Sequence, residues 1–146
     1  MFSRATITDV MYLLRDMKTH STLDAYAFRY GLDEIAVGAN KDEKVLSIGK
    51  YLLNHPEAPG ILSDNLLFEI VEDIISKTVV NDYYFDSESN EFKNYPQLRR
   101  LLLKDGFVIE DNNLIRVFDT DIDFSGNSSL IEKLLDKYML SVSKGH

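Results

Sequence analysis

Apolar stripes at helical spacing dominate residues 1–80 of the chain. In these stripes apolar side chains recur every three or four positions, as on the buried face of an amphipathic helix. They predict four helices, over about 7–18, 21–30, 41–54 and 64–78. Because short loops join them, we expect the first 80 residues to form a helical unit.

Capping residues predict where these helices begin. Thr6 stands three residues before Asp9, which is the spacing of a capping box, at the start of the first helix. Ser21 begins the second helix in the same way, and Asn40 is a typical N-cap for the third. Gly49, in the middle of the third helix, costs about 1 kcal/mol relative to Ala, so we expect a close helix–helix approach there.

Residues 81–94 interrupt the helical pattern. The stretch 82–91 contains four acidic residues and no base. It is too polar for a core helix and too aromatic for an inert linker, so we predict an acidic connection. Its aromatic side chains are candidates for a protein interface, although packing against the fold is the commoner role. These candidates are Tyr83, Tyr84, Phe85 and Phe92.

A helix followed by a β-hairpin is predicted after this connection. Pro96 occupies the first helical position and Gly106 ends the helix. Runs of β-forming residues at 107–110 and 114–118 flank a short Asp/Asn turn, which is typical of a hairpin. An isolated hairpin is only marginally stable, so it must pack on a helix. Ser129 is the predicted cap of a last helix.

The predicted fold class is therefore mainly α with a hairpin, that is, α+β. We expect residues 1–146 to form a single domain made of the helical unit, the acidic connection and a helix–hairpin–helix portion at 95–146. The chain stops abruptly after Lys144-Gly145-His146. This ending predicts that the domain is the N-terminal part of a longer protein.

Composition and charge narrow the class of protein. The chain has 146 residues, no Cys and a net charge of −8, with 12 acidic and 8 basic residues in both 1–80 and 81–146. A disulfide framework is excluded, and basic nucleic-acid binders rarely have this balance. No apolar stretch is long enough for a signal peptide or a membrane helix. We expect a cytoplasmic location and no membrane partner.

An acidic run near the C-terminus is a weak candidate for a metal site. Asp119, Asp121 and Asp123 have the spacing that begins a calcium-binding EF-hand loop. However, counting from Asp119, position six is Phe124 and position twelve is Leu130, where Gly and Glu are required. An acidic loop before a helix is favoured, and a metal-dependent hydrolase stays a third hypothesis. We predict no cofactor and no catalytic residue.

A small basic patch is predicted on the helix before the hairpin. It consists of Arg99, Arg100 and Lys104, and helix and hairpin together resemble the last helix and wing of a winged-helix domain. DNA contact would need more positive charge to offset the acidic surface, so we do not expect nucleic acid as a partner. The same segment could serve as a docking platform for a protein.

Three pieces of the sequence together resemble a known family. They are the helical stretch 23–53, the segment 69–72, and the segment 95–111, which ends in LLLKDGFVIED. This pattern is similar to the N-terminal domain of bacterial abortive-infection-type proteins of the abortive infection protein J family. In such relatives the chain continues into a helical HEPN-like domain, often a dimeric ribonuclease. The resemblance carries no catalytic residue onto this chain.

The resemblance implies a non-catalytic binding or regulatory module of a bacterial phage-defence protein. Its expected partner is another protein or its own C-terminal effector domain, and it could form a homodimer. The alternative is a winged-helix-like regulator associated with nucleic acid, or an acidic mimic of nucleic acid. In each case the chain itself is expected not to be an enzyme.

Overall fold

The computed structural model describes residues 1–78, 94–111 and 113–117. These residues form helices and one antiparallel hairpin, which confirms the mainly α, α+β class. The elements are α1 (Arg4–Met17), α2 (His20–Arg29), α3 (Lys41–Asn54), α4 (Leu66–Thr78), α5 (Leu98–Lys104), β1 (Phe107–Glu110) and β2 (Asn113–Arg116). The last helix predicted after Ser129 lies outside the described residues, as does the acidic connection except for its final residue.

The chain divides into two compact units, which we call the helical unit (7–74) and the mixed unit (1–6 with 75–146). The helical unit contains most of α1 and α4 together with all of α2 and α3. The mixed unit contains α5 and the hairpin. None of the described helices is long and apolar enough to cross a membrane.

The core of the helical unit is built from the apolar stripes. Each of its four helices contributes side chains with no solvent exposure, among them Leu14, Leu23, Ile48 and Ile70. Gly49 is buried on α3, and a Cβ there would lie 3.0 Å from Met11 Cγ. The predicted close approach of two helices at Gly49 is confirmed, with α1 as the partner.

Two of the predicted helix starts are wrong. The Oγ of Ser3 accepts a hydrogen bond from the Thr6 N–H (3.2 Å), so α1 begins three residues early and Thr6 lies inside it. At α2 the cap is Thr19 rather than Ser21, because Thr19 and Thr22 each accept a hydrogen bond from the other's backbone N–H. Asn40 caps α3 through the Glu43 N–H, which confirms that prediction.

Two further helices begin later than predicted. The Oδ1 of Asn65 accepts a hydrogen bond from the Phe68 N–H (2.8 Å), so α4 begins at Leu66 rather than at residue 64. Pro96 is not the first helical residue of α5. It lies in a turn in which the Leu98 N–H donates to the Tyr95 carbonyl (3.0 Å), and α5 follows this turn.

The hairpin has a tighter turn than the sequence predicts. Glu110 pairs with Asn113, so the connection is two residues long and Asn113 belongs to β2. Asp111 has φ 50°, the left-handed conformation that two-residue hairpin turns of type I′ require. Strand β1 contacts α5, and the Phe107 ring stacks on Phe2 with centroids 4.7 Å apart. The hairpin therefore packs on a helix, as expected.

Candidate functional site

The predicted basic patch lies on α5, which carries three bases and no acid in seven residues. Arg100 and Lys104 are four positions apart, so they share one face of the helix. Lys104 is exposed and Arg100 is half-buried. Arg99 is rotated by about 100° from Arg100. It is half-buried and lies on the side of the buried Leu103. We call Arg100 and Lys104 the α5 basic face.

The acidic residue that follows this helix is engaged within the mixed unit. The Oδ2 of Asp105 accepts hydrogen bonds from Thr6 Oγ1 (2.6 Å) and from the Ser3 N–H (3.0 Å). Burial raises the pKa of the Asp105 carboxyl, and these hydrogen bonds offset only part of that shift. Asp105 thus holds the first residues of the chain against the end of α5.

A second polar cluster lies in the helical unit between α2 and α4. The Tyr26 hydroxyl donates a hydrogen bond to Asp73 Oδ2 (3.1 Å), and the Tyr26 and Tyr30 rings are 5.0 Å apart. Burial, and then the charge of Asp73, raises the pKa of the Tyr26 phenol far above its usual value. Tyr26 stays protonated as a donor. The sequence pattern does not predict this hydrogen bond, because Asp73 is 47 residues away from Tyr26.

Glu69 organises the loop before α4. Its carboxylate accepts hydrogen bonds from the Ile61 N–H (3.2 Å), the Leu62 N–H (3.0 Å) and Ser63 Oγ (2.9 Å). Desolvation raises the pKa of Glu69, but the hydrogen bonds outweigh it, so the net shift is downward. The loop holds Ile61 and Leu62 outward, with Leu62 84% exposed.

Seven of the predicted site residues stay predictions because they lie outside the described residues. They are Tyr83, Tyr84, Phe85, Phe92, Asp119, Asp121 and Asp123. Within 1–78, 94–111 and 113–117, no three His, Asp or Glu side chains come together in a way that could hold a metal ion.

Comparison with known proteins finds similarity to a named enzyme. The chain is similar to a tRNA (guanine-N(1)-)-methyltransferase of Mycoplasmopsis pulmonis (strain UAB CTIP), at 30% identity over 118 residues. The match covers 80% of this chain and 46% of that protein, so the chain spans less than half the length of its relative. No family model matches the chain, and no solved structure matches it.

This similarity corrects the functional predictions made from sequence. The resemblance to the abortive infection protein J family is wrong, and so are the phage-defence role and the expectation that the chain is not an enzyme. The predictions of a non-catalytic module, a winged-helix regulator or an acidic mimic of nucleic acid are contradicted, because the relative is named as a tRNA methyltransferase. The error arose because the resemblance depended on a hydrophobic pattern and one short stretch, which many helical domains can share.

Proposed function

We propose that this chain is part of a tRNA-modifying enzyme that transfers a methyl group to N1 of guanine. The observation that carries the proposal is the 30% identity over 118 residues to a protein named for that activity. Because the match extends over 80% of the chain, it involves most of the sequence rather than one motif.

A basic helix on an acidic chain supports this proposal. RNA is recognised largely through its phosphates, and Lys and Arg side chains supply those contacts. In a chain of net charge −8, α5 has three bases and no acid. The proposal departs from the expectation that nucleic acid is not a partner, which weighed the same three bases against the net charge of −8.

The relative's name also implies a methyl donor. The polar clusters described above satisfy one another within the fold: Asp105 with Thr6 and Ser3, Tyr26 with Asp73, and Glu69 with its loop. None of them fits the role of holding a donor. We therefore assign no residue to the methyl donor and derive no transfer step.

A methyl-transfer assay tests the proposal. The purified chain is incubated with an unmodified tRNA transcript and S-adenosylmethionine labelled in its methyl group, and the digested nucleosides are analysed by mass spectrometry. We expect labelled N1-methylguanosine. As a matched control, a transcript already methylated at guanine N1 should gain no label. A chain that leaves the unmodified transcript unlabelled contradicts the proposal.

A further inference from the structure

We propose that the α5 basic face, Arg100 and Lys104, contacts the phosphodiester backbone of the RNA. This inference rests on the proposed function and adds the residues that touch the substrate. It concerns binding only and assigns neither residue a part in the chemistry.

The charge of α5 sets it apart from the other described helices. α1 has two bases and two acids, α2 one of each, α3 three bases and two acids, and α4 one base and three acids. α5 alone among them carries bases without any acid. Phosphate contacts supply a large share of the affinity for nucleic acid, so the most positive described helix is the best match to an RNA backbone.

The geometry of α5 presents two cations to one side. Leu98 and Leu102 are buried on the opposite side of the helix, with at most 1% exposure. Four residues advance about 6 Å along a helix, so Arg100 and Lys104 stand roughly one turn apart on the same face. A guanidinium can bind a phosphate through two parallel hydrogen bonds, and an ammonium acts as a point charge.

The carboxylate that follows this face in the sequence has partners of its own. Asp105 directly follows Lys104, and its Oδ2 accepts hydrogen bonds from Thr6 Oγ1 and the Ser3 N–H. Arg116, at the end of β2, is exposed and adds a further base to the same unit. Arg99, on the other side of α5, is not included in the proposed surface.

Salt-dependent binding tests this inference. Fluorescence anisotropy of a labelled tRNA transcript is measured with the full chain between 50 and 200 mM KCl. The test variant is Arg100→Gln/Lys104→Gln. The matched control is Arg29→Gln/Lys50→Gln, which removes the same charge from exposed positions of the helical unit. The logarithm of the binding constant falls linearly with the logarithm of the salt concentration. Each lost phosphate contact reduces the magnitude of this negative slope by about 1, so we expect a reduction of about 2 in the test variant only.

Because Arg100 is half-buried, a second variant guards against misfolding. Lys104→Gln changes a single, exposed residue. In this variant the magnitude of the salt slope of tRNA binding should be smaller than in the parent chain by about 1. Circular dichroism of each variant should match that of the parent chain.

The outcomes separate this inference from the proposed function. The inference is overturned if Lys104→Gln and a folded double variant have the same salt slope of tRNA binding as the parent chain, even if methyl transfer continues. The inference is also overturned if the parent chain does not bind tRNA at 50 mM KCl, or if its binding does not change between 50 and 200 mM KCl. Binding that depends on the α5 basic face without methyl transfer supports the inference, while the proposed chemistry fails.

Discussion

Replacing Gly49 by Ala measures how closely α1 and α3 approach. An added Cβ would lie 3.0 Å from Met11 Cγ and 3.2 Å from Ile7 Cγ2. Both neighbours are buried, with at most 2% exposure, so neither can turn into solvent to make room. Ile7 is also β-branched and therefore has little rotamer freedom in a helix.

Two opposing terms set the magnitude. Ala is favoured over Gly in a helix interior by about 1 kcal/mol. Inserting a methyl group into a packed core costs about 1–3 kcal/mol, because side chains and backbone must shift. Taking the middle of that range, we expect Gly49→Ala to lower the free energy of unfolding by about 1 kcal/mol.

A double-mutant cycle isolates the contact. Met11→Ala removes the nearest atom, so in that background Gly49→Ala should recover most of its helix propensity and stabilise the chain. The coupling energy between the two positions should then be about 2 kcal/mol, within the range measured for residues in contact. Lys50→Ala, at the adjacent exposed position, is the control and should change stability by less than about 0.5 kcal/mol.

Urea denaturation followed by circular dichroism gives these free energies. The reasoning is refuted if Gly49→Ala stabilises the parent chain by about 1 kcal/mol, as at an open helix position. Additive effects of the Gly49 and Met11 substitutions would refute it too, because they would show that the added methyl group does not meet Met11.

Three further expectations concern the polar clusters. Tyr26→Phe removes the donor to Asp73 and should cost about 1–2 kcal/mol in urea denaturation at pH 7. Because the pKa of Tyr26 is raised in the folded state, the parent chain should also lose stability above pH 10. Tyr26→Phe has no phenol to ionise at this position, so its stability should decline less. Equal declines in the two proteins would contradict the raised pKa of Tyr26. The pKa of Glu69 is lowered, so the parent chain should be more stable to unfolding than Glu69→Gln at pH 7. This difference in stability should vanish as the pH falls below about 4.5. The Leu62 amide should lose its protection from hydrogen exchange over the same range. The pKa of Asp105 is raised above 3.8, so its contribution to stability is most favourable below that pH and is lost as the pH rises. Asp105→Asn should therefore gain stability relative to the parent chain as the pH rises above about 3.8, and a constant difference would refute this.

Local signals predict the elements whose ends are fixed by local contacts. The start of α3 follows from Asn40, whose side chain accepts a hydrogen bond from the Glu43 N–H only three residues away. The hairpin follows from two β-forming runs around an Asp/Asn turn, and Gly49 signals a close helix contact through its unfavourable propensity. For α3 and the hairpin a few neighbouring residues contain the physical cause, whereas Gly49 signals a contact whose partners, Ile7 and Met11, lie on another helix.

Long-range contacts explain what sequence analysis misses. Several Ser and Thr residues near the start of α1 can cap a helix, and Ser3 is the one whose N–H is also held by Asp105, 102 positions away. The hydrogen bond between Tyr26 and Asp73 likewise cannot be predicted from the spacing of residues along the chain. On α5 the three bases are apparent from sequence, and the helical rotation of about 100° per residue already separates Arg99 from Arg100 and Lys104. The structure adds that both arginines are half-buried and that Lys104 is exposed.

The distribution of charge explains why an acidic chain is compatible with the proposed contact between α5 and RNA. The helical unit has six bases and twelve acids, whereas the mixed unit has ten and twelve. At physiological salt the screening length is about 8 Å, so a phosphate in contact with α5 interacts mainly with Arg100 and Lys104, and acidic residues farther away act weakly. Added salt weakens this local attraction and also screens the long-range repulsion. These two effects have opposite signs in the salt slope, so the slope of the parent chain alone cannot count phosphate contacts. The difference between the α5 variant and its Arg29/Lys50 control isolates the local term, because both variants change the net charge equally.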